Sequence, residues 1–331
     1  MKSLAILGGG SWGTALAIAL APRFAETRLW VHEPNLAGRM ARGRENDVYL
    51  PGFLLPESVR PTPHLAEAME GAGIVLIVVP SQHVRRVLEE ICPLADPETL
   101  FVSATKGLEA GTLLRMSEVV SDVLGRRFQP RVAILSGPTF AREVARGQPT
   151  AVVISSRDIE AASRIQVSFS GPTLRLYTNT DPVGVELGAA LKNVIAIAAG
   201  VCQGLELGSN AQAALITRGL AEITRLAVAA GGQSATLAGL AGLGDLVLTC
   251  TGELSRNRQV GIELGRGRSI EEILKSMRMV AEGVRTTQAA LQLAARYSVE
   301  LPITAQVQRI LEGLPPREAV RDLMERSLKM E

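Results

Sequence analysis

The stretch LAILGGGSWGTALAIALA, residues 4–21, joins a short apolar run to a glycine cluster and then to an alanine- and leucine-rich helical pattern. Gly8-Gly9-Gly10-Ser11-Trp12-Gly13 satisfies G-x-G-x-x-G in the context that gives this spacing meaning, after a strand and at the opening of a helix. Gly8 permits the tight turn, Gly10 lets a pyrophosphate approach the backbone, and Gly13 lets helix and strand pack closely. The phosphates then meet unpaired N–H groups and the positive end of a helix dipole. The alternative is a glycine-rich turn that holds no ligand.

Working outward, Leu4–Leu7, Arg28–Val31, Ile74–Val79, Thr99–Ala104, Val132–Ser136 and Ala151–Ser155 form strand candidates, with a further short one at Thr173–Tyr177. Several are Val- and Ile-rich without in/out alternation, which suits strands covered on both faces. Their alternation with helical patterns predicts an α/β Rossmann domain with a doubly wound, mainly parallel sheet. From Asp181 onward long Ala/Leu-rich segments follow one another, punctuated by Gly and Pro, and predict an all-α domain. The expected division is a dinucleotide-binding domain over 1–180 and a helical substrate and catalytic domain over 181–331.

Loops at the carboxyl ends of strands point into the ligand crevice of such a sheet. Glu33, 25 positions after Gly8, stands near the place of the carboxylate that holds a ribose 2′-hydroxyl, which mildly favours NAD over NADP. Arg39, Arg42 and Arg44 follow it and are either a solvated helix face or a site for the extra phosphate of NADP. Val79-Pro80-Ser81-Gln82 ends one strand; His83 after it is either a general acid or, the preferred reading, a surface residue at a helix start. Lys106 in ATKGLE, and Gly137 and Thr139 in SGPTF, occupy the same kind of loop.

Arginine outnumbers lysine thirty to five, which draws attention to each lysine kept in mid-chain. Lys192 lies in LGAALKNVIAIAAG, an apolar helix pattern in which Gly188, Lys192, Ala196 and Ala199 share a face. These small residues are expected to leave space beside the ammonium, as in the wall of a narrow cleft. A buried ammonium is costly and seeks a partner. Asp245 in GLGDLVLT is the candidate, with Thr249 one turn further on the same face. The pair is either part of an active site or a purely structural ion pair. Ser255-Arg256-Asn257-Arg258 opens another helix. Ser255 is a good N-cap, whereas Arg256 at that end opposes the dipole and suggests an anion site.

The 331 residues are 47% hydrophobic and carry a net charge of +2, a balance that argues against an electrostatic nucleic-acid binder. No run of 18 apolar residues predicts a membrane span. The start, MKSLAILGGG, is too short and glycine-rich for a signal peptide. Cys92, Cys202 and Cys250 are odd in number and far apart, as expected of buried thiols in a reducing cytoplasm. His32, His64 and His83 are scattered, and no Cys/His cluster has metal-ligand spacing, so no metal site is expected.

These pieces resemble the bacterial-type NAD(P)-dependent glycerol-3-phosphate dehydrogenase family across nearly the whole chain. The stretches that carry the resemblance are GGGSWGTALA, NDVYLPG, VPSQ, ATKGLE, LSGPTFAREVA, GAALKNVIAIAAG, TRGLAE, GLGDLVLTCT, SRNRQVG and AEGVRT. The resemblance implies reversible hydride transfer between NAD or NADP and dihydroxyacetone phosphate, giving sn-glycerol 3-phosphate for glycerophospholipid biosynthesis. It implies Lys192 as general acid/base, with Lys106, Asp245 and Thr249 as active-site companions. Substrate contacts are implied at Gly137, Thr139, Ser255, Arg256 and Asn257. Cofactor contacts are implied at Ser11, Trp12, His32, Lys106, Ala141, Arg256, Val280 and Glu282. Family members that use NADP commonly carry a basic residue near the position of Glu33, so its acidic character here bears on cofactor choice.

A related plan, the hydroxyacid or ketopantoate-type dehydrogenase, also pairs such domains with a helix lysine. The SRN cluster argues for a phosphorylated substrate instead. A nucleotide-sensing protein without turnover would not need Lys106, Lys192 and Asp245 together. A homodimer in the cytoplasm, with no nucleic-acid partner, is the expected state.

Overall fold

The computed structural model describes residues 3–277 and 281–328. Two compact units divide the chain. One comprises Met1–Glu109 with Leu114–Glu186, the other Ala110–Leu113 with Leu187–Glu331.

The first unit is built on ten strands: β1 (Ser3–Leu7), β2 (Thr27–Trp30), β3 (Glu45–Asn46), β4 (Leu50–Leu54), β5 (Val59–Thr62), β6 (Ala72–Ile77), β7 (Leu100–Ser103), β8 (Arg131–Ser136), β9 (Thr150–Ser155) and β10 (Leu174–Asn179). Eight of them form one sheet in the order β10-β9-β8-β7-β6-β1-β2-β5. All its pairings are parallel except β8 with β9. Between them run α1 (Ser11–Leu20), α2 (Pro34–Gly43), α3 (Leu65–Met69), α4 (Ser81–Ile91), α5 (Met116–Leu124), α6 (Ala141–Ala145) and α7 (Ile159–Phe169).

The lack of alternation has the expected cause. Leu4, Ile6 and Leu29 pack with Leu16, Met40 and Ile165 of α1, α2 and α7. Ala5, Leu7 and Ile77 pack with Ala68, Val84 and Val120 of α3, α4 and α5. Alternate residues point to opposite faces, both faces are covered, and both must be apolar. The sheet is therefore doubly wound, and its order reverses between β1 and β6.

Two features depart from the sequence expectation. Strand β5 extends the sheet beyond β2, although Pro61 lies within it. Proline lacks the donor for a second ladder, and β5 is an edge strand. The antiparallel pair β3–β4 is also additional. Strand β10 ends the sheet at its other edge.

The second unit is helical among the described residues. Helix α8 (Pro182–Gly204) begins in the first unit and continues into the second. After it come α9 (Gly208–Ala229), α10 (Ser234–Leu237), a π-type turn over Leu240–Gly244, α11 (Asp245–Thr251), α12 (Arg256–Gly265), α13 (Ile270–Ser276), α14 (Glu282–Arg296), α15 (Pro302–Leu311) and α16 (Pro316–Met324). By length and composition α8 could cross a membrane, but 94% of its most apolar window is buried inside the protein, as in a core helix.

Helices α8 and α12 run parallel in backbone contact. A Cβ on Gly200 would lie 2.0 Å from the Arg258 carbonyl oxygen, and one on Gly261 would lie 1.9 Å from that of Ile197. Further along, Gly204 meets the Ile262 carbonyl at 2.4 Å and Gly265 that of Val201 at 2.7 Å by the same measure. Only glycine fits at such a crossing.

Candidate active site

In the first unit the glycine-rich turn divides its labour as the motif requires. Gly8 has φ +130°, and a Cβ there would lie 2.7 Å from the Val78 carbonyl oxygen. Gly13 packs against the turn itself, its would-be Cβ 1.9 Å from the Gly8 carbonyl. Gly10 faces open space, with nothing within 4 Å of the place a Cβ would take, and serves as N-cap of α1. Ser11 and Trp12 start that helix, so unpaired N–H groups point from it toward a backbone surface that a ligand can reach. The Gly8–Val78 contact joins the ends of β1 and β6, where the strand order reverses. This is where doubly wound sheets bind dinucleotides.

The other residues expected in this unit follow strand ends too. His32 and Glu33 follow β2; the His32 ring leans on Trp30 at 5.7 Å, and Glu33 is the N-cap residue of α2. Lys106 follows β7 and donates from Nζ to the Gly137 carbonyl at 3.4 Å. Thr139 Oγ1 donates to the same carbonyl at 3.3 Å, so Lys106, Gly137 and Thr139 form one cluster. Gly137 has φ +148°, a region that favours glycine, and a Cβ there would lie 3.0 Å from Val152 Cα. Ala141 opens α6 and shares an apolar cluster with Trp12 and Ala15. His83 is exposed on the first turn of α4.

In the second unit, Lys192 Nζ donates to Asp245 Oδ1 at 2.7 Å and to Thr249 Oγ1 at 2.6 Å. Thr249 Oγ1 in turn donates to the Asp245 backbone carbonyl at 2.6 Å. The threonine hydroxyl has one proton, already given to that carbonyl, so it accepts from the lysine. Lys192 is 5% exposed and Asp245 fully buried. Taking an ion pair out of water is costly, and these two hydrogen bonds from the ammonium offset part of that cost. The π-type turn before Asp245 sets that carboxylate at the start of α11, and Gly242 lets the turn close on Leu237, whose carbonyl a Cβ would meet at 2.1 Å.

The small residues flanking Lys192 do not leave a gap on every side. A Cβ on Gly188 would lie 3.0 Å from the Ala241 carbonyl and 3.1 Å from Leu237 Cδ1. Gly188 admits close packing of the segment that delivers Asp245, rather than an open cleft wall.

Ser255 caps α12, its Oγ accepting from Arg258 N at 3.3 Å. Arg256 is the first helical residue and is exposed. Desolvation of its guanidinium lowers the Arg256 pKa, and the carboxylate of Glu282, the first residue of α14, opposes that shift only in part. Asn257 is buried; its Nδ2 donates to Asn193 Oδ1 at 3.0 Å and its Oδ1 accepts from Gly283 N at 3.0 Å. It thereby ties the starts of α12 and α14 to α8 beside Lys192. Val280 lies outside the described residues.

The three cysteines are free; Cys250 is buried and Cys92 and Cys202 are half-buried, which amends the expectation of three buried thiols. Burial pushes the Cys250 thiol up to about 12.

Two residues not singled out from sequence contact the glycine-rich turn and Glu33. Asn46, fully buried, donates from Nδ2 to the Gly9 carbonyl and to Thr14 Oγ1, both at 2.8 Å. Tyr49 donates its hydroxyl to Glu33 Oε1 at 2.9 Å. Both belong to NDVYLPG, whose polar start and aromatic residue were the available signal.

Comparison with known proteins bears on both units. Residues 3–162 match the family described as NAD-dependent glycerol-3-phosphate dehydrogenase N-terminus, and residues 181–321 match its C-terminus. The chain is 55% identical to the glycerol-3-phosphate dehydrogenase [NAD(P)+] of Koribacter versatilis over 98% of each chain. It is 53% identical to that of a Geobacter species over 100% of this chain and 99% of the other. It is also similar to the crystal structure of glycerol-3-phosphate dehydrogenase from Coxiella burnetii, with a TM-score of 0.94 and 44% identity over 98% and 99% of the two chains.

Proposed function

The chain belongs to the NAD-dependent glycerol-3-phosphate dehydrogenase family, and from that premise we propose how its own residues carry the reaction. The protein is an oxidoreductase, NAD or NADP is its cofactor, and it reduces dihydroxyacetone phosphate reversibly to sn-glycerol 3-phosphate. The product feeds glycerophospholipid synthesis. Residues 1–180 bind the dinucleotide and residues 181–331 supply the acid/base and the substrate site.

The turn at Gly8, Gly10 and Gly13 fits a dinucleotide: its backbone is open at Gly10 and backed by the N–H groups of α1. Ser11, Trp12, His32, Glu33, Lys106 and Ala141 would hold the rest of the cofactor from this unit. The nicotinamide, when bound, supplies or accepts the hydride.

Lys192 carries the proposal. As the ketone is reduced, negative charge grows on its oxygen. The ammonium stabilises that charge and then transfers one proton to the oxygen, leaving a secondary alcohol and a neutral amine. In the reverse direction the amine takes the proton back. Asp245 keeps the ammonium charged before the transfer, and Thr249 fixes its direction. Ser255, Arg256 and Asn257 would hold the substrate phosphate at the start of α12. Binding energy from that remote group then orients the reacting carbon. Within the first unit, the cluster of Lys106, Gly137 and Thr139 offers an ammonium, a hydroxyl and a close backbone to the same class of ligand.

We also infer a cytoplasmic homodimer. The free thiols support a reducing compartment, and exposed Leu243, Val247 and Leu254 support self-association.

The test is to follow reduced-nicotinamide absorbance with dihydroxyacetone phosphate, using NADH and NADPH in parallel. Rapid oxidation with either is expected. No oxidation by protein that binds NADH would remove the phosphorylated ketone as substrate.

A further inference from the structure

We propose that Tyr49 is a specificity-determining residue, one that fixes the Glu33 carboxylate at the start of α2 and thereby makes the protein prefer NADH to NADPH. The inference rests on the dinucleotide reading of the glycine-rich turn and goes beyond it to the choice between the two cofactors.

The start of α2 is by itself indifferent to the wrong ligand. Its unpaired N–H groups and dipole favour anions, a 2′-phosphate among them. What opposes a phosphate there is the charge of Glu33, which also accepts a ribose 2′-hydroxyl. Glu33 is exposed, however, and a mobile surface carboxylate can swing aside at little cost. The Tyr49 hydroxyl, at 2.9 Å from Oε1, removes that freedom.

Tyr49 is itself held. Its backbone N–H donates to Asn46 Oδ1 at 3.0 Å, and Asn46 is anchored through Nδ2 to Gly9 and Thr14. The ring is partly buried against the apolar core on one face of the sheet. A continuous line of contacts therefore runs from the glycine-rich turn through Asn46 and Tyr49 to Glu33. Burial first, and the neighbouring carboxylate second, raise the pKa of the phenol, so it remains a donor through neutral and mildly alkaline pH.

The nearby arginines do not offset the carboxylate. Arg39 forms a two-pronged pair with Asp47, with both contacts at 3.1 Å. The Arg44 guanidinium is turned to the backbone carbonyls of Val59, Leu55 and Pro56. Arg42 is in the last turn of α2, and its guanidinium folds back beside Gly38, five residues and so more than one helical turn beyond Glu33. The two readings that the sequence left open for these arginines thus part: Arg39 and Arg44 are structural.

The test is a double-mutant cycle on cofactor affinity, with the dissociation constants of NADH and NADPH read from nicotinamide fluorescence and checked against kcat/KM. The proteins are wild type, Tyr49→Phe, Glu33→Ser and the double variant. Wild type is expected to bind NADH more tightly. Tyr49→Phe, which keeps the ring, should move the NADH:NADPH ratio toward NADPH on the order of three- to tenfold. Glu33→Ser should move it further, and adding Tyr49→Phe to it should change nothing more, because Tyr49 acts through Glu33. An unchanged ratio in folded Tyr49→Phe overturns the proposal, as do independent, multiplying effects. If Glu33→Ser leaves the ratio alone, Glu33 is not the selector, while the dinucleotide site stands. If folded wild type binds neither nucleotide, the dinucleotide reading fails and takes the proposal with it.

Discussion

Asn257 donates its side-chain amide to Asn193 across 64 positions of sequence, and that offset recurs along the same two helices. Gly261 touches the carbonyl of Ile197, and Gly265 that of Val201, each again 64 positions back. The parallel register that results sets Lys192 level with Arg256. The residue proposed to move the proton and the residue proposed to hold the phosphate are therefore fixed relative to each other by backbone contact. Rigid elements of this kind position reacting groups more closely than loops do.

Alanine at Gly261 tests that register. In an exposed helix interior, Gly→Ala stabilises by about 1 kcal/mol through propensity. Here the added carbon would lie 1.9 Å from the Ile197 carbonyl, an atom that cannot rotate away. Overpacking against backbone outweighs propensity, so Gly261→Ala should destabilise by about 3 kcal/mol. Gly265→Ala, at 2.7 Å from the Val201 carbonyl, should cost less. Urea denaturation midpoints decide this; equal stability of the two variants would contradict the contact geometry.

Lys192→Ala should lower kcat by at least about a hundredfold, the usual scale for a lost acid/base, while NADH affinity stays within a factor of about two. Asp245→Ala should be the more destabilising of the two, by about 3 kcal/mol, because it leaves an ammonium buried without its carboxylate. Stopped-flow turnover and calorimetric unfolding separate these effects. A folded Lys192→Ala protein with near-normal kcat would show that another group transfers the proton.

Much of this was readable in the chain. The sheet was legible because strands covered on both faces must be apolar throughout, and Leu4–Leu7 and Ile74–Ile77 are. The Lys192–Asp245 contact was legible because each is a charge in an otherwise apolar segment. Other features depend on long-range partners that periodicity does not encode. Asn46 is a polar residue in a short loop until the fold brings it to Gly9, 37 positions earlier. At Gly188 the space beside Lys192 is taken by Ala241 and Leu237, since small residues signal close approach equally well whether the neighbour is a ligand or a helix. Strand β5 was hidden by Pro61, which an edge strand tolerates.

Cys250 follows Thr249 directly but should take no part in chemistry. With its thiol pushed up to about 12 by burial, roughly one molecule in ten thousand carries the thiolate at pH 8. Native protein treated with iodoacetamide at that pH should be labelled at Cys92 and Cys202, which are half-buried, well before Cys250. Peptide mass spectrometry over time gives the order. Early labelling of Cys250 would mean that α11 opens readily, and with it the pocket that holds Lys192.

Asn46 provides the sharpest test of the first unit, because its donor and acceptor roles differ. Asn46→Ala removes the donor to the Gly9 carbonyl and the acceptor for Tyr49 N–H, and should cost about 2 kcal/mol of stability with weaker NADH binding. Asn46→Asp keeps the shape and the acceptor but cannot donate to Gly9 when ionised, and it buries a charge. It should therefore be at least as damaging as alanine at neutral pH. The introduced carboxyl is expected to have a raised pKa in the folded state, since burial and the Gly9 carbonyl both disfavour its ionised form. A group whose pKa is raised on folding binds more protons when folded, so the deficit should shrink as pH falls through that raised value toward the ordinary carboxylate range. Alanine, with nothing to titrate, should show no such recovery. Comparing the unfolding free energies of the two variants between pH 8 and pH 5, each relative to wild type, checks the sign. Parallel curves would mean that Asn46 does not donate to the glycine-rich turn.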